Sequence, residues 1–316
     1  IISIFSFIGI TLGVSVLIIV MSVMNGFRTE LINKIIGFNA HVTIQPYSTP
    51  IDKKKLKNEV VQVLSKDLIY TNSGEGVLFN KDNTKGLVLR GYNTSDFSKL
   101  SVIKNENFEG NSDELINNSI SIGKDLAIEY NLNIGDQILI MSSSGIETII
   151  GNIPKQEPFI ITSFFDSGLS DFDTNVAFLN IKSLESLFDL AESERHLEIY
   201  LKDPIKIEKV KLQLENVFTD EFVYTWADMN SSLFSALKVE RNVMFIILSL
   251  IIIVAAFNII SGLTILVKNK TRDIAILKSI GVQNKSITKI FFLVGVSIGV
   301  SATIFGIILG ILFSIY

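Results

Sequence analysis

Histidine is the first residue type to look for in a chain that could do acid–base or metal chemistry, and this one has two, His41 and His196, with no cysteine at all. The two lie far apart in sequence. Neither falls in an H-E-x-x-H or a His-based triad spacing, so metalloprotease and triad hydrolase chemistry have no candidate residues. The nearest approach to a phosphate-binding loop is "SIGKD" (121–125), which lacks both the upstream Gly of G-x-x-x-x-G-K-[ST] and the hydroxyl after Lys. ATP hydrolysis by this chain is therefore not expected. Without cysteine there is no disulfide and no thiolate metal site. The Asp and Glu residues are scattered, as on a solvated face, and no basic, aromatic surface suited to nucleic acid occurs. The expectation is a non-catalytic chain without metal ligands or a cofactor of its own, and without a nucleic-acid partner.

One stretch stands out by type and spacing: "RDIAILKSIGVQNKSITK" (272–289), short, basic and half apolar, between two long apolar runs. Read as a helix, "TRDIAILKSIG" puts Ile274 and Leu277 on one side with either Lys278 or Gly281, while Arg272, Lys278 and Lys285 can reach lipid headgroups or a protein groove. Gly281 suits a helix C-terminus, and Lys278 lies in the last turn, where a cation meets the negative end of the helix dipole. Two readings stand at this point: a helix lying on lipid, or a contact surface for a cytoplasmic partner.

The flanking elements must hold that stretch in place. The chain has 316 residues, 48% of them hydrophobic and only 19% charged, with a mean hydropathy of +0.44. Residues 1–27, 242–267 and 290–316 contain no Asp, Glu, Lys or Arg. Each run exceeds the roughly 20 apolar residues needed to cross a bilayer as a helix, so three transmembrane helices are expected. The first is not a signal peptide, having no basic n-region and too long an apolar stretch. Residues 268–289 carry six Lys and Arg against Asp273 alone, net +5; with a chain total of −4, residues 28–241 hold net −9. Short basic loops stay in the cytoplasm whereas long domains translocate regardless of charge. The 268–289 loop is thus expected inside and the 28–241 domain outside.

Within 28–241, "HVTIQP", "GLVLRGY", "DQILIMS", "PFIITSFF" and "HLEIYLK" alternate as strands, and residues 53–68, 123–131, 181–191 and 204–218 show helical spacing. The order suggests an α/β subdomain (40–92 with about 193–228) and a β-rich insertion at about 93–192. No Pro or Gly interrupts 231–261, so the second span is expected to continue outward as one helix, either a lever or a rigid stalk. Ionisable residues are missing from the spans, against an ion-driven carrier. Gly9/Gly13, Gly295/Gly299 and Gly306/Gly310 have the G-x-x-x-G spacing that lets helices approach closely, with packing inside the chain the simpler explanation.

"VAAFNIISGLTILVKNKTRDIAILKSIGVQNKSITKIFF" (254–292) resembles the second span, coupling helix and third-span entry of the FtsX/MacB-type ABC transporter permeases. "IGITLGVSVLIIVMSVMNGFRTEL" (8–31) is similar to the first span of the LolC/LolE lipoprotein-releasing permeases, and "ISIGKDLAIEYNLNIGDQILIMS" (120–142) to their outer-domain pattern. The resemblance implies an α-helical transmembrane bundle with a large α+β periplasmic domain in the inner membrane. It also implies four spans, so this chain, which starts and ends inside apolar runs, reads as a fragment lacking the fourth.

By the same resemblance Arg272, Asp273, Ile274, Ala275, Ile276, Leu277, Lys278 and Gly281 would dock on a LolD-type ATPase subunit, with Arg272 and Asp273 facing its groove and Ile274, Ile276 and Leu277 packing. ATP and Mg would be bound by that partner. "GNIPKQEPF" (Gly151, Asn152, Ile153, Pro154, Lys155, Gln156, Glu157, Pro158, Phe159) resembles the hook loop that receives a LolA-type periplasmic carrier. Its prolines would stiffen an exposed segment, and Ile153 and Phe159 would offer apolar contact. Met24, Asn25 and Phe27 with Val243, Ile246 and Ile247 match positions where the lipid of a lipoprotein cargo enters. A second permease copy or a LolC/LolE-type paralogue would complete the transporter. An FtsX-like regulator of cell-wall hydrolases and a MacB-like exporter permease are the alternatives.

Overall fold

The computed structural model describes residues 2–47, 49–80, 83–148, 151–205 and 207–315. In chain order its elements are α1 (Ile2–Phe38), β1 (Val42–Pro46), α2 (Glu59–Leu64), β2 (Ser65–Asn80), β3 (Asn83–Tyr92), α3 (Thr94–Phe97), β4 (Glu109–Gly110), β5 (Ser119–Gly123), α4 (Lys124–Tyr130), β6 (Gln137–Thr148), β7 (Gly151–Phe165), α5 (Ser170–Asn175), β8 (Val176–Asn180), α6 (Ile181–Phe188), β9 (His196–Leu201), α7 (Ile207–Glu215), β10 (Glu221–Thr225), α8 (Trp226–Met229), α9 (Ser231–Asn269), α10 (Thr271–Ser279) and α11 (Asn284–Ile315). They divide into two compact units, Ile1–Leu31 with Ser232–Tyr316, and Ile32–Ser231.

The first unit is a helical bundle in which three helices are long and apolar enough to span a membrane: Phe7–Phe38, Ser231–Asn269 and Asn284–Ile315. Its seams are made where side chains are small. A Cβ on Gly306 would lie 2.8 Å from Val14 Cβ, and one on Gly310 2.8 Å from Ile18 Cβ, so α1 packs directly on the α11 backbone. Thr11 Oγ1 donates to Ala302 O at 3.1 Å in the same seam. Gly9 and Gly13 meet Asn258 and Ile251 of α9, and Gly295 meets Leu263. The spaced glycines thus serve contacts within the chain, where lipid leaves van der Waals packing as the main attraction between helices.

The second unit is built on two sheets that share β2. Residues Ser65–Thr71 of β2 pair with β9, which pairs with β1 and β1 with β10, giving a four-stranded antiparallel sheet. From Asn72 onward β2 pairs with β3, then β3 with β8, β8 with β5, β5 with β7, β7 with β6, and β6 back to β2. That circuit closes a six-stranded ring, whose interior holds Leu78, Ile120, Ile140, Phe159, Ile161 and Leu179, all fully buried. Closure pairs each of the six strands on both sides over part of its length, leaving the first part of β7 paired with β6 alone.

Three expectations need correction. The β-rich part takes in the second half of β2 and all of β3, N-terminal to the expected start at 93. Helix 53–68 is cut short: α2 stops at Leu64, and Lys66–Leu68 lie in β2 because Leu68 and Ile69 alternate into the β9 pairing. The first helix runs past residue 27 to Phe38, since Ile35 and Phe38 are buried and continue its apolar stripe after Arg28.

Candidate functional site

The basic stretch is a helix with a hard stop at each end. Lys270, with φ −98° and ψ 13°, breaks the chain between α9 and α10. Thr271 Oγ1 donates to Lys268 O at 2.6 Å across that break. Lys270 Nζ reaches Asp273 Oδ2 at 2.8 Å, and the hydrogen bond and charge of Asp273 raise the Lys270 pKa. Asp273 also sits in the first turn, where the helix end is electropositive. At the other end Gly281 adopts φ +95°, a conformation strained for any side chain. Its N–H donates to Lys278 O at 3.0 Å and that of Val282 to Leu277 O at 3.1 Å, the paired bonds of a Schellman motif.

No residue of α10 is buried. Ile276 and Ile280 are 59% and 74% exposed, with Leu277 beside them at 39%. At 3.6 residues per turn Arg272, Ile276 and Ile280 form one strip, flanked by Asp273 and Leu277. Ile274 does not join it. Two residues from Ile276, it falls on nearly the opposite side of the helix, half-buried, with Lys278 one turn on from it. Of the residues expected to pack on a partner, Ile276 and Leu277 are thus exposed with Ile280 beside them, whereas Ile274 is half-buried. The i+4 spacing from Ile276 was the signal for Ile280.

The segment 151–159 is not a loop but the first part of β7, paired antiparallel with β6 in the register Pro154↔Gly145 and Pro158↔Leu139. The partner on the far side, β5, joins only at Ile160. Pro154 and Pro158 thus occupy an edge where a missing N–H breaks no ladder. Alternation sends Phe159 into the ring core, fully buried, so it offers no contact to a carrier. Lys155 donates to Ser186 O and pairs with Glu157 at 3.2 Å, tying this strand to α6. Pro154, Gln156 and Pro158 remain exposed, joined by Ile160 at 50%, which the sequence reading missed. The side chains of Gly151, Asn152 and Ile153 lie outside the described residues.

Of the residues matched to a lipid path, Phe27, Val243, Ile246 and Ile247 are exposed at 43–66%, Asn25 is exposed and Met24 half-buried. They lie beyond the tight contacts that Gly9 and Gly13 make with α9.

Both histidines sit in the four-stranded sheet region, at separate places. His41 Nδ1 accepts the Leu201 N–H at 2.7 Å; burial lowers its pKa to about 4. Nearby, Arg90 Nη2 donates to Glu198 Oε1 at 2.7 Å, and the Tyr92 and Tyr200 hydroxyls donate to the same carboxylate at 3.0 Å. Burial opposes the Arg90 charge, but Glu198 and the tyrosines outweigh it and raise its pKa. The Phe38 ring lies 5.8 Å from the Arg90 guanidinium and stacks on Phe172 at 4.4 Å. The last turn of α1 is thereby part of the core of this unit. No cluster of metal-ligating residues occurs among the described residues.

Residues 3–217 match the MacB-like periplasmic core domain model, and residues 245–316 the FtsX-like permease C-terminal model. The lipoprotein-releasing system transmembrane protein LolC of Neisseria meningitidis serogroup B is 30% identical over 96% of this chain and 75% of its own length. The chain belongs to the LolC/LolE family of permeases. LolC of Buchnera aphidicola subsp. Schizaphis graminum is 31% identical, covering 99% of this chain and 78% of that one. LolE of Haemophilus influenzae is 28% identical over 98% and 77%. Among solved structures, the periplasmic region of MacB from Actinobacillus actinomycetemcomitans aligns at TM-score 0.38 and 11% identity, over 62% of this chain and 94% of that one. Family membership rests on the sequence matches. As a LolC/LolE-family permease, the chain is a multi-pass membrane protein with a periplasmic domain, the permease component of an ABC transporter.

Proposed function

We propose that this permease works in the inner membrane, extracting lipoproteins from the bilayer and handing them to a soluble periplasmic carrier of the LolA type. The work is driven by a separate LolD-type ATPase subunit, which binds ATP and Mg. Relatives named for lipoprotein release support the cargo class. The observation that carries the coupling is α10, a nine-residue helix stopped at both ends, with Ile276, Leu277 and Ile280 exposed beside Arg272 and Asp273. An apolar strip with charged flanks is the form of a helix that seats in a groove. A second permease subunit, the same chain or a paralogue, completes the transporter.

Carrier docking falls to the exposed face of β7, Pro154, Gln156, Pro158 and Ile160, where prolines lower the ordering cost of binding. Lipid enters along Met24, Asn25 and Phe27 of α1 and Val243, Ile246 and Ile247 of α9.

Co-expression with a LolD-type ATPase tests the coupling. Arg272→Glu with Leu277→Asp should abolish ATPase co-purification while the permease still inserts. Retention of the ATPase at the wild-type level would refute the assignment.

A further inference from the structure

A cleft in the second unit has no part in the reading above. It has two lobes, of about 340 and about 530 Å³, which share Ser73 and His196. Its floor is one face of the four-stranded sheet. Thr43 pairs with Glu198 and Thr71 with His196, so strand alternation places Thr43 and Gln45, His196 and Glu198, Thr71 and Ser73 on that face.

The lobes differ in chemistry. The smaller is walled by Phe38, Val88, Phe172, Val176 and Met229. It lies where α1 ends and just before α9 begins. The larger is lined by Gln45, Tyr47, Asn72, Ser193 and Glu194.

Charge narrows the ligand. Arg90 and Glu198 are spent on each other at 2.7 Å, and Glu194 Oε2 takes the Ala191 N–H at 2.7 Å. No unpaired cation is left for a phosphate, and no pair of carboxylates for a metal. What converges instead is neutral. Gln45, Ser73, Ser193 and the His196 imidazole make no side-chain hydrogen bond among the described residues. Amides and hydroxyls of this kind match the alternating N–H and C=O groups of an extended polypeptide, which would otherwise be left unpaired.

We infer that this cleft holds the extended polypeptide segment of the cargo that follows its lipid anchor. The inference rests on the lipoprotein reading and deepens it. Permeases of this kind would then hold the linker of their cargo on this sheet face.

The absence of cysteine makes the test clean. Ser73→Cys, at an exposed position in the cleft, and Leu212→Cys, 64% exposed on α7 outside it, are each labelled with a benzophenone maleimide in the full chain in nanodiscs. One probe is a synthetic diacylated cysteine with a short Gly/Ser/Asn tail; the other is the same lipid without the tail. Expected is cross-linking of the tailed probe at Ser73 about tenfold above that at Leu212, and about tenfold weaker binding of that probe to Ser73→Trp or Gln45→Leu, with the tail-less probe unaffected. Equal cross-linking at the two positions, or unchanged affinity in both variants while the tailed probe still binds, overturns the cleft assignment alone. Binding of neither probe overturns the lipoprotein reading and the inference with it.

Discussion

Two ion pairs of nearly equal length mark the two ends of what this molecule has to do. Arg90–Glu198 spans 2.7 Å with side chains 13% and 4% exposed, at the root of α1; Lys270–Asp273 spans 2.8 Å with side chains 57% and 60% exposed, at the start of α10. Distance does not decide their worth. The first pair is desolvated, shared with two tyrosine hydroxyls and roofed by Phe38, so either partner left alone would be a buried charge. The second is wet, screened by salt and held by one flexible lysine. The root of α1 is thus fixed into the periplasmic domain, whereas α10 is held by its backbone stops and leaves its side chains exposed.

The largest expected effect comes from breaking the buried pair. Glu198→Ala should destabilise the periplasmic domain by about 3–5 kcal/mol, because Arg90 and two hydroxyls lose their acceptor. Trp226, the single tryptophan and buried in that domain, reports its unfolding by fluorescence. Replacing both members, Arg90→Met with Glu198→Leu, should recover much of the loss. A double variant as weak as the single one would show that the pair itself, not the orphaned charge, carries the stability.

His41 sharpens the same root by pH. Its folded pKa of about 4 lies below the ordinary 6.5, mainly through burial, and protonated Nδ1 could no longer accept the Leu201 N–H. The unfolded chain therefore takes up the proton first. Stability from this group is complete above about pH 6.5 and is lost as pH falls toward 4, by a difference on the order of 1–3 kcal/mol. His41→Gln should flatten that slope, read by Trp226 across the same range; an unchanged slope would assign it elsewhere.

The smallest effect is expected at the exposed pair. Asp273→Asn should leave thermal stability nearly unchanged, the more so in high salt. A loss comparable to that of Glu198→Ala would erase the contrast between the two regions.

What could be read from sequence follows the same division. The spans and α10 were legible because their signals are local: uncharged runs, a basic loop, a glycine after the last turn. The ring was not, since its closure depends on β2 meeting β6 and β3 meeting β8, pairings between residues remote in sequence. β5, β8 and β10 are only five residues long, too short for alternation alone to mark them. Prolines misled at 151–159, where an edge of β7 tolerates them, and Phe159 read as a contact residue when its strand phase sends it inward. Arg28 misplaced the end of α1, because the charge boundary of a membrane span is not the boundary of its helix. Ile280 lies beyond the continuous run 272–278 and joins Ile276 only through helical phase.

The most direct test of the central claim, that α10 faces the cytoplasm and is covered there by an ATPase, is thiol labelling of Ser279→Cys with a membrane-impermeant maleimide. Ser279 is exposed on α10, and the chain has no other thiol. Labelling should occur in inverted vesicles and not in right-side-out ones, and added LolD-type ATPase should protect the thiol. Labelling from the periplasmic side, or no protection by the ATPase, would contradict the account.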